Sequence, residues 1–292
     1  MATSTRRRSS RRVRRAAVAC ATPAWAVAKS LRGGFREVTS AARKRESGIG
    51  GCDVRYIRRM HADQKTTIVP DRDTAAASAA FDPACRRCPR LATFLADVAL
   101  EHPAYWCRPV PPFGAAAARL VVVGLAPGLH GANATGRPFT GDYAGILLYA
   151  TLHAYGFATQ PVATSRDDGQ RLLQCRITNA VKCLPPGNKP TPAEIRMCND
   201  YLASDLAALP PGGAILALGR IAHDAALRAL GQRPSAVPFA HGAAHALPGN
   251  RLLVDSYHCS RYNTNTRRLT PAMFNAAFDT VAAHLARRAE AA

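Results

Sequence analysis

From about residue 75 onward, short apolar runs alternate with longer segments in which apolar residues recur every three or four positions. The apolar runs at residues 119–124, 176–181, 214–219 and 251–256 have the length and branched side chains of strands buried on both faces. Helical periodicity covers residues 89–99, 143–155, 192–209, 221–230 and 271–286. Thr191-Pro192 and Thr270-Pro271 put a capping hydroxyl and then a proline at a helix start, where proline's missing N–H leaves nothing unpaired. Strands separated by helices predict an α/β protein, specifically a three-layer α/β/α sandwich around a four-stranded parallel sheet. The predicted domain spans residues 76–292. Residues 1–75 are expected to be a disordered basic leader.

The first apolar run ends in a loop that carries chemistry. Gly124 to Asp142 is rich in small residues, ends in a carboxylate, and separates a strand pattern from the helical pattern resuming at Tyr143. Ligands of open α/β sheets bind where such loops leave the strand ends. A structureless loop this long inside a domain is uncommon unless it is functional or disordered. It contains neither a Gly-Lys-Ser/Thr phosphate loop nor a Gly-x-Gly-x-x-Gly fingerprint. Its glycines, Gly124 and Gly128 among them, leave room for the backbone to approach a ligand closely.

Charge is unevenly distributed. The 292 residues carry a formal net charge of +20, yet residues 1–60 alone hold 16 Lys or Arg against three acidic residues. The extreme basicity therefore belongs to the N-terminal arm, which would be drawn to phosphate backbones. The alternative is a true start near Met60. With 48% hydrophobic residues the chain can build a substantial core. No apolar segment reaches transmembrane length, so a soluble, cytoplasmic protein with no membrane partner is expected.

Nine cysteines without a secretory pattern point to metal binding or reduced thiols rather than disulfides. Cys85-Arg86-Arg87-Cys88 aims two thiolates at one point, and Cys183 and Cys198 can complete a four-thiolate cage. Spacing leaves zinc and an iron-sulfur cluster both open, and a redox dithiol is the third reading of the first pair.

Four blocks, in order, carry a family resemblance: Cys85-Arg86-Arg87-Cys88-Pro89-Arg90-Leu91; the Gly124 to Asp142 loop; Ile177-Thr178-Asn179 through Pro192; and Ser256-Tyr257-His258-Cys259-Ser260-Arg261-Tyr262-Asn263-Thr264-Asn265-Thr266. On these the chain resembles the family 5 (type B) uracil-DNA glycosylases. The leader lies outside the resemblance. The resemblance implies a monofunctional DNA N-glycosylase of base excision repair that removes uracil and other deaminated bases. It also implies a [4Fe-4S] cluster on Cys85, Cys88, Cys183 and Cys198, with zinc as the alternative.

Breaking a glycosidic bond to a pyrimidine creates positive charge on the sugar and negative charge on the base, and the nucleotide must first be flipped from the duplex. By resemblance, Asp142 orients water and offsets the cationic sugar, His258 donates to the base oxygen, and Asn179 contacts the base or the water. Phe139 would stack on the base, with Gly124, Ala126 and Gly128 beside it. Each has a plainer reading: Asp142 as a helix cap, Asn179 as a backbone-bonded amide, and Phe139 as core packing. Ser260, Arg261, Tyr262 and Asn263 are expected to meet DNA, Arg261-Tyr262-Asn263 as a wedge filling the vacated stack. Many superfamily members read His-Pro-Ser where this chain has His258-Cys259-Ser260, which removes a backbone restraint. Lys182 and Lys189 are expected to touch phosphates. DNA is the expected partner and a monomer the expected state. Two rival readings are a non-catalytic iron-sulfur nucleic-acid-binding protein of the same fold and a zinc-stabilised enzyme of free nucleotides.

Overall fold

The computed structural model describes residues 81–289; the leader predicted over residues 1–75 lies outside them. The four predicted parallel strands are all present, as β1 (Leu120–Gly124), β2 (Cys175–Asn179), β3 (Ala214–Leu218) and β5 (Arg251–Ser256). The expected sheet of four parallel strands is corrected by a fifth. β4 (Ala244–Leu247) pairs antiparallel with β5 at the edge, giving the order β2-β1-β3-β5-β4. Its Ala-His-Ala-Leu sequence has no β-branched residue and only Leu247 is buried, so no strand pattern shows in it. Gly249 and Asn250, both at positive φ, turn it back onto β5.

Side chains alternate across the sheet and are apolar on both sides, which is why the strands read as continuous hydrophobic runs. Leu120, Val122, Ile177, Leu216 and Val254 face helices α3 (Tyr143–Ala154) and α7 (Pro271–Ala289) through Leu148, Tyr149, Leu152, Phe274 and Phe278. Val121, Val123, Ile215, Ala217 and Leu253 face α4 (Pro192–Ala207) and α5 (Arg220–Ala229) through Ile195, Leu202, Leu206, Ala222 and Ala226. The result is the expected α/β/α sandwich.

Local signals set the helix starts. Thr191 and Glu194 form a reciprocal capping box at α4, with Pro192 in the first turn. Thr270 Oγ1 accepts from the Met273 amide at the start of α7. Before the sheet, α1 (Pro89–Glu101) is tied to α4 by a two-pronged Arg90–Glu194 pair, with both bonds 2.8 Å. The loop expected to be structureless contains a short helix, α2 (Ala132–Thr135), closed by Gly136 at φ 74°. A second short helix, α6 (Arg261–Asn265), follows β5. No helix among the described residues is long and apolar enough to cross a membrane.

Candidate functional site

The carboxyl ends of β1, β2 and β5 open into a cavity of about 340 Å³ lined by Ala126, Gly128, Phe139, Asp142, Asn179, Asn188, His258 and Ser260, among others. That size sits at the lower end of the ~300–1,000 Å³ typical of small-molecule pockets. The sheet order explains the convergence. β1 and β2 are neighbours, so Gly124 is in register with Asn179, and β5 delivers His258 two residues beyond its end.

Asp142 caps α3, its Oδ1 accepting from the Gly145 amide at 2.7 Å. The cap does not exclude a place in the cavity, because the same carboxylate lines it. Burial raises the Asp142 pKa above the ordinary carboxylate value, and hydrogen bonds from the Gly145 and Ala144 amides offset only part of this. Gly131 makes the approach possible: a Cβ there would lie 2.6 Å from Asp142 Oδ2. Asn179 is buried, and its Oδ1 has no hydrogen-bond partner, so the plain reading of a backbone-bonded carbonyl does not hold for that atom.

Phe139 adopts φ 53°, in the left-handed region that non-glycine residues rarely occupy. Its ring lies 5.8 Å from that of His258, inclined by 28°. Burial alone holds the His258 pKa at about 4, so the imidazole is neutral near pH 7. The loop bearing Phe139 is anchored by Arg137, to which the sequence alone gave no role. Its guanidinium grips Asp168 at 2.9 and 2.6 Å, donates to Thr140 Oγ1 at 2.8 Å, and lies over the Phe113 ring. Burial works against the Asp168 charge, but hydrogen bonds from Arg137 and from the Gln170 and Thr164 amides, with the Arg137 charge, together outweigh it and hold that carboxyl at about 2.

Gly124 forms the floor. A Cβ there would overlap Asn179 Oδ1 and come within 2.7 Å of the Phe139 ring. Gly124→Ala is therefore expected to destabilise the fold by about 1–3 kcal/mol through overpacking and to depress any reaction in the cavity. Urea unfolding and the reaction rate check this, and an unchanged rate would mean the two side chains need not stay where they are.

Around the mouth the expected DNA-contacting residues divide. Ser260 caps α6 through the Asn263 amide, and Asn263 Nδ2 donates inward to the His258 carbonyl at 2.8 Å. Arg261 lies 5.0 Å over the Tyr143 ring. Arg261 and Tyr262 are both exposed, Tyr262 to 70%, while Asn263 is half-buried. Cys259, at the position where the resemblance leads one to expect proline, is fully buried against the α3 and α7 side of the core. The restraint proline would supply comes instead from two tethers: Asn263 on the His258 carbonyl, and the Tyr257 amide donating to His241 Nδ1 at 3.1 Å.

Lys182 is corrected. It is fully buried, paired with Asp205 at 2.7 Å and bonded to Thr178, while Arg176 holds the other Asp205 oxygen at 3.0 Å. It cannot reach a phosphate; Lys189 remains exposed. Asn188, also at positive φ, lines the cavity and was not singled out from sequence.

Cys85, Cys88, Cys183 and Cys198 line one small cavity between α1, α4 and the loop after β2. Burial raises the thiol pKa values of Cys88, Cys183 and Cys198, and neighbouring thiols add to the rise at Cys88 and Cys183. At Cys85 burial is outweighed by hydrogen bonds from Tyr201 and Arg87, which lower the pKa. The Lys182 amide donates to Cys198 Sγ at 3.3 Å.

The family model described as the uracil DNA glycosylase superfamily matches residues 111–282, which include every residue named around the cavity at the strand ends but not Cys85 and Cys88. The chain belongs to the uracil DNA glycosylase superfamily. Among its members the chain is similar to type-5 enzymes and, over shorter spans, to type-4 enzymes. The type-5 uracil-DNA glycosylase of Thermus thermophilus is 50% identical over 196 residues, 65% of this chain and 89% of that protein. That of Pyrobaculum aerophilum is 45% identical over 190 residues, 64% of this chain and 82% of its own length. That of Mycobacterium tuberculosis is 43% identical over 203 residues, 66% and 75% respectively.

Proposed function

We propose that the chain is a monofunctional DNA N-glycosylase that accepts an everted uracil, or another deaminated base, in the cavity between Asp142 and His258 and hydrolyses its bond to deoxyribose. The observation that carries this reading is the convergence of a buried carboxylate, a neutral imidazole and an unpartnered amide oxygen on one base-sized cavity at the strand ends.

Each group has one task. Phe139 stacks on the base, a contact worth about 1–3 kcal/mol. Asn179 Oδ1 accepts a ring N–H. Deamination creates that N–H: cytosine and adenine present a ring lone pair where uracil and hypoxanthine carry a hydrogen. One acceptor therefore separates uracil from cytosine and hypoxanthine from adenine, while thymine and guanine, which carry the same ring N–H, must be refused by the shape of the cavity and not by this atom. Neutral His258 donates to the base carbonyl as negative charge develops there, which is worth about 3–4 kcal/mol in a dry site. Ionised Asp142 orients the attacking water and balances the cationic sugar. Among the described residues no lysine lines the cavity, so in this reading no Schiff base forms and the product is an intact abasic strand. The same reading makes the protein a monomer acting on DNA in the cytoplasm, in base excision repair.

A panel of duplexes holding one uracil, hypoxanthine, xanthine, cytosine or thymine tests the reading. Alkali-labile sites are expected for uracil and at least one other deaminated base, and none for cytosine. Cleavage independent of deamination would overturn the role of Asn179. Binding without any excision would favour the non-catalytic alternative.

Tyr262 is the wedge in this reading. Tyr262→Ala is expected to weaken binding and flipping by about 1–3 kcal/mol with no loss of thermal stability, because the side chain is largely exposed. Fluorescence of 2-aminopurine opposite the lesion reports it. An unchanged signal would leave the vacated stack to another residue.

The four cysteines hold a [4Fe-4S] cluster. The four thiols line one small cavity, which supports a four-thiolate site, with zinc as the alternative. The cluster ties α1 to α4 and to the loop after β2, a structural role. Cys183→Ser is expected to lose the brown iron-sulfur absorbance and several degrees of melting temperature. A colourless, zinc-replete wild-type protein purified anaerobically would contradict the assignment.

A further inference from the structure

Away from both sites, α5, β4 and β5 bring His223, His245 and Asp255 to one point. His223 and Asp255 are sealed from solvent and the His245 side chain is 18% exposed. His223 Nδ1 lies 2.7 Å from Asp255 Oδ1, while its Nε2 lies 2.7 Å from the Val237 carbonyl. His245 Nε2 is 3.0 Å from Asp255 Oδ2, whose other neighbour is the Ala240 amide at 3.3 Å.

Hydrogen-bond accounting on His223 is the key. A neutral imidazole has one N–H and one lone pair. The Val237 carbonyl only accepts, so Nε2 carries the hydrogen and Nδ1 turns its lone pair toward a carboxylate oxygen. Two lone pairs cannot face each other at that distance in a dry site, so a proton bridges them when no metal is bound, and a metal ion can replace it once the ligands spread. A second imidazole nitrogen meets the same carboxylate, and all three ligand atoms lie within 4.8 Å of one another. Two imidazoles and one carboxylate are the donor set of three-residue zinc sites. A ligating ring held through its other nitrogen by a backbone carbonyl is the usual way such a ring is oriented.

We propose that His223, His245 and Asp255 bind one divalent transition-metal ion of the zinc class, with water as fourth ligand on the side His245 leaves open. Binding releases the proton that otherwise bridges His223 and Asp255. The ion clamps the edge strand to β5, and from Asp255 in β5 the chain continues through Ser256 and Tyr257 to His258. Tyr257 stacks on His241 at 4.9 Å, and Phe239 packs edge-on against His223 at 5.7 Å, so the segment between α5 and β4 is braced with it. This site touches no substrate, and it stands whether or not the cavity excises uracil.

The test is zinc titration of the cluster-bearing protein after dialysis against EDTA. One zinc per chain beyond the iron is expected, with a melting temperature raised by about 5–10 °C at a hundredfold excess of free zinc over its dissociation constant. Cobalt(II) in the same site is expected to show d–d bands without thiolate charge transfer, which separates it from the cysteine cage. His245→Gln and Asp255→Asn are expected to abolish both responses. Absence of zinc uptake and of any melting shift in the wild-type protein would overturn the proposal and leave a proton as the bridging cation. Equal uptake by both variants would overturn it too, and the wild-type titration decides even if a variant fails to fold.

Discussion

Replacing Asp142 with Asn is expected to lower single-turnover excision of uracil by about 10²–10⁴-fold, the range lost with a positioned acid or base, while leaving the melting temperature close to that of the parent. An asparagine still offers an oxygen to the Gly145 amide and still fits against Gly131, so the α3 cap survives. What disappears is the charge that faces the cationic sugar and the group that orients water. Asp142 works ionised and burial raises its pKa, so parent activity is expected to fall as pH drops through a midpoint above the ordinary carboxylate value, and that limb is expected to vanish in the variant. Excision by Asp142→Asn within threefold of the parent would remove the carboxylate from the reaction.

The second large effect belongs to His258. Its ring is held neutral, with a pKa at about 4, by burial, so it acts as a hydrogen-bond donor and not as a cation. His258→Ala is expected to lower excision by about 10²–10³-fold, the equivalent of one lost donor to a developing anion. The rate of the parent is expected to pass through pH 6.5 without an inflection, since no change of charge on this ring occurs there. Folding stability carries the same information with its own sign. The folded pKa lies below the free-histidine value of 6.5, so this contribution is complete above pH 6.5 and is lost as pH falls toward 4. An inflection in rate near pH 6.5 that disappears in His258→Ala would show that the imidazolium is the working form.

The sheet and the cavity differed in how far they could be read from sequence. Strands buried on both faces advertise themselves as runs such as Val121-Val122-Val123, because every side chain meets a helix layer. β4 has solvent on most of its positions and pairs only at one edge, so its Ala244-His245-Ala246 carries no pattern; the Pro-Gly-Asn that follows was the available cue. Asp142, Asn179 and His258 were singled out by the family resemblance of the blocks that hold them, and the apolar runs nearby said only that they fall near strand ends. Arg137 was not singled out, because its partner Asp168 lies 31 residues away and nothing local announces a buried pair. Lys182 misled for the same reason. A lysine beside a cysteine loop reads as a surface charge until the tertiary fold places Asp205 against it. The convergence of His223, His245 and Asp255 depends on the unrecognised edge strand and was invisible for that reason.

The claim beneath all of this is that one cavity holds an everted base while its glycosidic bond breaks. Single-turnover incubation of the cluster-bearing protein with a duplex containing one uracil, read by mass spectrometry, tests it directly. Free uracil together with an unbroken strand carrying one abasic site is the result expected. An unreacted strand at protein excess, or a strand cut without release of free uracil, would contradict it.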